Sequence, residues 1–215
     1  MKTRWAAPLL LAAMWASALA VYPRLPGRIP IHWNLQGEVD GWGGRAAAFL
    51  APSIGTALAA LLVWVLPRID PRRASWEKWR EELWLLVNVL VLFTAWMHAV
   101  SLGSALGWRV DTGRAVLGGV GVLLVAVGNY LPRIRSNWFV GIRTPWTLTS
   151  ERVWRDTHRV AGRAFVAAGV VMALAALAAL PFAHLASLAA VALAVVVPVV
   201  YSYLAFRREA AGTVG

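Results

Sequence analysis

The 215-residue chain contains no cysteine, and this absence removes several classes of chemistry at once. Without thiols there is no disulfide, no cysteine nucleophile and no thiolate metal site. The sequence also lacks a His-Glu-x-x-His zinc motif, a Gly-x-Ser-x-Gly nucleophile turn and a glycine-rich phosphate loop. These absences favour a protein that is not an enzyme, and they give no reason to expect a cofactor.

Charged residues are also scarce. They make up 14% of the chain, whereas 60% of the residues are hydrophobic and the mean hydropathy is +0.62. The apolar residues form long stretches at 5–22, 46–66, 83–106, 115–131, 160–180 and 184–206, and none of these contains Asp or Glu. Each stretch has about the length needed to cross a hydrocarbon core of about 30 Å as a helix. The sequence therefore predicts an all-α, polytopic integral membrane protein with six transmembrane helices.

The first stretch has a second interpretation. Lys2 and Arg4 precede an apolar run that ends in Ala18-Leu19-Ala20, as in a cleaved secretory signal. The run is longer than the apolar core of about 7–15 residues in such signals, which favours a retained span. At the other end of the chain, only Pro181, Phe182 and Ala183 separate the last two stretches, so we expect a tight helical hairpin there.

The basic residues predict the orientation. The net charge is +11, and 16 of the 21 Lys and Arg residues fall on the side that holds both termini. Such a bias places that side in the cytoplasm, next to anionic lipid headgroups. Because no soluble domain remains to bind nucleic acid, we expect the lipid bilayer, and not nucleic acid, as the partner of this charge. Tryptophans near predicted span ends are typical of the headgroup layer: Trp5, Trp64, Trp84, Trp108 and Trp138.

We divide the chain into four parts. Residues 1–66 hold the first two spans with an outer loop at 23–45, and residues 67–131 hold spans three and four. Residues 132–159 form a cytoplasmic segment, and residues 160–215 hold spans five and six with a basic tail.

The outer loop has a mixed composition. It contains three prolines and five glycines, yet Ile-Pro-Ile-His-Trp-Asn alternates as a short strand does, and the following Gln-Gly-Glu-Val-Asp-Gly-Trp-Gly-Gly has turn residues. We expect a structured loop with a binding surface formed by His32, Asn34, Glu38, Asp40 and Trp42. His32, Glu38 and Asp40 are possible metal ligands, but they lack a tight spacing motif. The interpretation we favour is that His32 and Asp40 hydrogen-bond backbone groups and so hold the loop in one shape.

The cytoplasmic segment is rich in arginine and tryptophan. It is expected to be irregular up to Trp146, with Thr149 or Ser150 beginning a helix that continues into span five. On this helix one basic stripe follows the helical period, and it faces either anionic headgroups or a binding partner: Arg152, Arg155, Arg159 and Arg163. We expect the irregular and helical halves to fold together as a cytoplasmic cap on the Trp154 and His158 face. Arg143 then either pairs with Glu151 or Asp156 or binds an external anion.

The pattern "GN…P…N.F.GIRT.WTL…E..W..THR..G" resembles the signature of the SdpI family of bacterial membrane proteins. The outer "LP..IPIHWN..GEVDGW" is similar to the domain of unknown function that precedes it in many members. The residues that match the cytoplasmic signature are Asn129, Asn137, Gly141, Arg143, Thr144, Trp146, Thr147, Leu148, Trp154, Thr157, His158 and Arg159.

This resemblance implies a non-enzymatic function. The founding member is an immunity protein that protects a producing cell from its own secreted toxic peptide, and it holds a transcriptional repressor at the membrane when engaged. No catalytic residues are established for the family. The resemblance thus implies a toxin partner outside the cell and a regulator inside.

Two other functions remain open at this stage. A small transporter or channel would need polar residues inside the membrane, and the chain offers His98, His184, Asn88 and Asn129. A membrane enzyme that acts on a lipid phosphate would use Arg143, Trp154 and His158, with His158 as the acid–base group.

Overall fold

The computed structural model describes residues 2–34, 38–178 and 182–212. Six helices are long and apolar enough to cross a membrane: Ala6–Arg24, Arg45–Ile69, Arg80–Ala105, Thr112–Arg133, Glu151–Leu177 and Ala183–Gly212. They coincide with the six predicted stretches and extend most of them by several residues. The chain is thus an all-α polytopic membrane protein with a two-stranded hairpin between the first two spans.

The regular elements follow one another in a simple order. They are α1 (Ala6–Val21), β1 (Ile29–Trp33), β2 (Val39–Gly43), α2 (Leu50–Ala60), α3 (Leu66–Ile69), α4 (Arg73–Glu77), α5 (Arg80–Ala105), α6 (Thr112–Tyr130), α7 (Pro145–Thr149), α8 (Glu151–Leu177) and α9 (Ala183–Gly212). A π-helical turn at Leu61–Val65 joins α2 to α3, so these elements form one span. Short 3₁₀ turns extend α1, α2 and α6 at their ends.

Two intramembrane polar contacts connect α1 to α5. The Ala7 backbone N–H donates to Asn88 Oδ1 at 3.0 Å, and Ser17 Oγ lies 2.9 Å from His98 Nε2. Ala7 and Ala18 are buried, so the small face of α1 packs on α5 and lets these polar groups meet. Two of the polar residues considered for a transport path, Asn88 and His98, thus have a packing role.

The antiparallel helices α6 and α8 cross closely at two glycine pairs. A Cβ on Gly162 would lie 2.7 Å from the Gly128 carbonyl oxygen, and a Cβ on Gly121 would lie 2.8 Å from the Gly169 carbonyl oxygen. Glycine at these positions therefore allows backbone-to-backbone packing, which is a common way to associate helices in a membrane. Helix α9 packs along another part of α8, and the connection at 179–181 lies outside the described residues.

The outer hairpin is antiparallel, with Ile29 opposite Gly43 and Trp33 opposite Val39. The strand predicted at residues 29–34 is confirmed as β1, which ends one residue earlier, while the segment predicted as turn contains the second strand. A small core of buried residues holds the hairpin on the helices: Ala18, Leu25, Ile29, Ala48 and Leu102. Ser101 Oγ of α5 also donates to the Pro30 carbonyl at 2.7 Å.

Candidate functional site

The segment between α6 and α8 is folded against the connection between the second and third spans, and Asp70 joins the two. Asp70 is 2% exposed. Its Oδ1 accepts from the Arg72 backbone N–H at 2.7 Å, and its Oδ2 accepts from Trp76 Nε1 at 2.9 Å and from the Trp138 backbone N–H at 3.0 Å. A single carboxylate thus orders its own turn and holds the start of residues 132–159, which we call the signature segment.

Arg72 makes a second connection between the same two segments. Its guanidinium donates to Ser136 Oγ and to the Leu148 carbonyl, and it lies over the Trp138 ring with Cζ 5.9 Å from the ring centroid. Ser75 Oγ donates to the Ser136 carbonyl at 2.7 Å. Sequence reasoning missed Asp70 and Arg72 as site residues. The Asp-Pro turn after a span is a local signal, but the partners are more than 60 residues away.

Asn137 forms the centre of a tight turn. The side chain is fully buried, and its Nδ2 donates to the Arg135 and Val140 carbonyls, each at 2.9 Å. Its Oδ1 accepts from the backbone N–H groups of Phe139 and Val140 at 2.8 and 2.6 Å. All hydrogen-bonding groups of the amide side chain are therefore engaged by the protein backbone, so Asn137 shapes the segment.

His158 and Trp154 of α8 bind backbone groups of the signature segment and hold it on this helix. The Ile142 backbone N–H donates to His158 Nε2 at 3.0 Å, while His158 Nδ1 lies 2.8 Å from the Trp154 carbonyl. Since Nε2 accepts, Nδ1 carries the proton and donates. The two rings stack with centroids 4.1 Å apart, and Trp154 Nε1 donates to the Ile134 carbonyl at 2.8 Å. Both ring nitrogens of His158 thus bind backbone groups, and this geometry does not fit the acid–base role considered from the sequence.

Gly141 is required beside this histidine. Its φ is +115°, a conformation that side-chain-bearing residues rarely adopt, and an added Cβ would collide with His158 Nε2. Because glycine has no side chain, the backbone at this position can turn directly over the imidazole ring.

Thr144 and Thr147 cap α7, which lies where the sequence predicted an irregular chain. The Thr147 backbone N–H donates to Thr144 Oγ1 at 3.2 Å, and the Thr144 backbone N–H donates to Thr147 Oγ1 at 2.9 Å. Thr144 Oγ1 also donates to Ser202 Oγ of α9 at 3.1 Å, and the Trp146 and Tyr203 rings lie 5.1 Å apart. The capped turn thus connects α7 to the last span. Ser150, one of the two helix starts predicted from the sequence, caps the first turn of α8, where its Oγ accepts from the Val153 backbone N–H at 3.2 Å.

The remaining signature residues are dispersed. Thr157 is fully buried on α8, and its hydroxyl has no hydrogen-bond partner within the described ranges. Asn129 and Arg159 lie away from this core, at a groove between α6 and α8.

Arg143 is exposed and makes neither of the internal pairs considered from the sequence. Its Nη1 donates to the Trp138 carbonyl at 3.0 Å. Glu151 pairs with Arg155 at 3.9 Å and Asp156 with Arg159 at 3.5 Å, and no carboxylate among the described residues pairs with Arg143.

We use the name cap face for three neighbouring exposed side chains of the signature segment, Arg135, Trp138 and Arg143. Trp138, predicted to lie in the headgroup layer, is 45% exposed, and Arg72 packs over its ring. The cap face is therefore a basic and aromatic surface supported by an interior in which Asp70, Asn137 and His158 bind backbone groups.

The outer hairpin presents a different surface. His32 Nδ1 lies 2.6 Å from Asp40 Oδ1 across the strands, and Trp42 is 50% exposed beside them. Glu38 instead bonds Asn34, through its backbone N–H to Asn34 Oδ1 at 2.9 Å. Within the described residues, no group of three His, Cys, Asp or Glu side chains is placed to hold a metal ion. His32 and Asp40 thus bond each other across the hairpin, whereas the sequence analysis expected each to bond backbone groups.

Residues 133–202 match the SdpI/YfhL protein family, and residues 9–56 match a domain of unknown function, DUF1648. The chain is also similar to a protein named Immunity protein SdpI from Bacillus subtilis strain 168. The two are 25% identical over 202 residues, which cover 93% of this chain and 94% of the relative. The chain is thus similar to the SdpI family in its signature segment and last two spans, and to its immunity-protein relative along nearly its whole length.

Together with the six membrane-length apolar helices, this similarity makes the chain a multi-pass bacterial membrane protein. The SdpI match runs from Arg133 in the signature segment through α7 and α8 to Ser202 in α9. The DUF1648 match covers most of the first span, the outer hairpin and about half of the second span. No solved structure gives a significant match to the chain.

Proposed function

We propose that this protein is a membrane immunity protein that senses or neutralises a secreted antimicrobial peptide outside the cell and docks a cytoplasmic regulator on its inner side. The observation that carries the proposal is the similarity to an immunity protein along 93% of the chain. The two family segments each contain a folded polar surface, and these surfaces lie at opposite ends of the helix bundle.

The outer hairpin is the proposed surface for the peptide. Trp42 offers an exposed amphipathic ring next to the exposed His32–Asp40 pair, and such side chains are frequent in peptide contacts. Because the hairpin is packed on α1 and α5, it presents these groups near the membrane surface, where a membrane-active peptide approaches.

The cap face is the proposed surface for the regulator. The planar guanidinium of Arg143 uses one nitrogen to hold the Trp138 carbonyl, so its remaining donors are available for a carboxylate of a partner. A regulator with an acidic patch would complement Arg135 and Arg143, and Trp138 would add apolar contact. The geometry supports no catalytic step here, because the nitrogens of the neighbouring His158 are engaged by backbone groups.

A protection assay tests the outer part of this proposal. Sensitive cells that express the protein are challenged with the peptides secreted by its native host, and survival is compared between variants. His32→Ala and Asp40→Ala should each weaken protection at unchanged membrane levels, because each removes one partner of the cross-strand pair. Pro26→Ala, an exposed change outside the hairpin, should not weaken it.

Two outcomes of the same assay would count against the proposal. Parent protein that gives no protection against any secreted peptide would contradict the immunity function itself. Full protection by both hairpin variants would exclude the hairpin as the sensing surface.

A chelator added to the same assay should leave protection unchanged, since the His32–Asp40 pair lacks a third metal ligand among the described residues.

A further inference from the structure

A groove between α6 and α8 is lined by both charged and apolar side chains. It has a volume of about 560 Å³ and is lined on one side by Asn129 of α6 and on the other by Arg159 and Arg163 of α8. Gly128 and Gly162 form its floor, where the two backbones touch, and Val166 continues one wall. We propose that this groove binds the headgroup phosphate of an anionic phospholipid in the inner leaflet. This inference does not depend on the immunity function.

The charges of the groove favour an anion. Arg159 and Arg163 are four residues apart and therefore lie on one face of α8, and both are exposed. Arg159 makes a surface pair with Asp156 at 3.5 Å, which is worth only about 0–1 kcal/mol and is easily exchanged for another anion. Among the described residues Arg163 has no carboxylate partner. Two guanidinium groups thus face the groove with little internal compensation.

Asn129 supplies a neutral donor on the opposite wall. Its Nδ2 donates to the Val125 carbonyl at 2.8 Å, which leaves the second N–H of the amide for a ligand. A phosphate oxygen held between a guanidinium and an amide N–H is a typical charge-assisted arrangement.

The depth of the groove indicates a lipid as the source of the phosphate. Helix α8 has 27 residues and is therefore about 40 Å long, whereas the hydrocarbon core is about 30 Å thick. The excess places the first two turns outside the hydrocarbon and Arg159 and Arg163 near its boundary, the level of headgroups. Val166 and Ala167, one turn further along α8, then offer an apolar surface to the acyl chains.

The glycine crossing explains why the groove exists. Side chains at Gly128 and Gly162 would separate the helices and fill the floor between them, since an added Cβ on either would lie within 2.8 Å of the opposite carbonyl oxygen. Where the two backbones approach closely, they leave the groove, and the side chains of Asn129, Arg159 and Arg163 surround it.

Native mass spectrometry of the full-length protein in detergent tests this inference. The probes are phosphatidylglycerol and phosphatidylcholine with identical acyl chains, and the measurement is the fraction of protein that retains each lipid. The parent should retain phosphatidylglycerol preferentially. The double variant Arg159→Gln/Arg163→Gln should reduce that retention about 25-fold, because each arginine near an anionic headgroup contributes a factor of about five.

Two further variants separate a groove from general basic attraction. Arg152→Gln/Arg155→Gln removes the same charge from the same helix outside the groove, and it should reduce retention less than the groove variant does, because these arginines lie further from the lipid phosphate. Ala167→Trp fills the groove at constant charge and should reduce retention of phosphatidylglycerol. Thermal unfolding of each variant confirms that it is folded, as expected for changes at exposed positions.

Several results would overturn the assignment. These are equal retention of the two lipids by the parent, equal losses in the two double variants, or unchanged retention in Ala167→Trp. Displacement of phosphatidylglycerol by inorganic phosphate at the same concentration as the lipid would show a site for free anions, and would also contradict the proposal of a lipid site.

Discussion

At the scale of single residues, the family signature separates into side chains that build the cap and side chains that the cap presents. Asn137 and His158 are fully buried and bind backbone groups, whereas Arg143 is exposed and paired with no carboxylate among the described residues. Sequence analysis placed both kinds in one binding motif, because a motif shows which residues occur together and not which of them face solvent. Only the three-dimensional contacts distinguish the two roles.

Gly141→Ala should destabilise the protein more than a glycine-to-alanine change whose only cost is backbone strain. The positive φ costs about 1–2 kcal/mol for a residue with a Cβ, and the collision with His158 Nε2 adds to this cost. Gly107→Ala is the matched control, because Gly107 has φ +81° and no atom near the added Cβ. Thermal unfolding in detergent should therefore show a larger loss for Gly141→Ala. Equal losses would contradict the packing described for His158.

Arg143→Lys should leave stability nearly unchanged and reduce regulator binding. Lysine keeps the positive charge but loses the planar, two-pronged donor geometry that suits a carboxylate. The measurements are thermal unfolding and the amount of the native cytoplasmic regulator that co-purifies with the protein. Arg155→Lys is the control, since that arginine already faces Glu151 at 3.9 Å. Full regulator binding by Arg143→Lys would assign Arg143 a structural role.

At the scale of elements, hydropathy predicts the six spans well because each has a long apolar window. The start of α8 at Ser150 was predictable too, since a serine followed by Glu151 is a local capping signal. Helix α7 was not expected, because its five residues are stabilised by the Thr144–Thr147 box and by contacts with α9. The contacts of Asp70 and Arg72 were also beyond prediction, since they join segments far apart in the sequence.

Gly162→Ala should weaken the packing of α6 on α8. The added Cβ would lie 2.7 Å from the Gly128 carbonyl oxygen, which belongs to the helix backbone and moves only with the whole helix. Such overpacking costs about 1–3 kcal/mol. Gly118→Ala is the control, because its Cβ would make an ordinary contact of 3.7 Å with Ala176. Unfolding in detergent measures both, and a Gly162→Ala protein as stable as the Gly118→Ala protein would contradict the close crossing.

At the scale of the whole molecule, the helix bundle separates two folded polar ends. The outer hairpin rests on α1 and α5, and the signature segment rests on the connection between α3 and α5 and on α8 and α9. Because an odd number of spans separates the hairpin from the signature segment, a membrane places them on opposite sides. The positive-inside bias predicts that the signature segment is the cytoplasmic one.

Cysteine labelling measures this placement directly, and the chain suits the experiment because it has no cysteine of its own. Glu38→Cys and Thr149→Cys each introduce one thiol at an exposed position, one beside the hairpin strand β2 and one at the end of α7. A membrane-impermeant maleimide applied to intact cells should label Glu38→Cys, and it should label Thr149→Cys only after the membrane is opened. Labelling of Thr149→Cys in intact cells would contradict a cytoplasmic cap, and with it the proposed division between an outer peptide surface and an inner regulator surface.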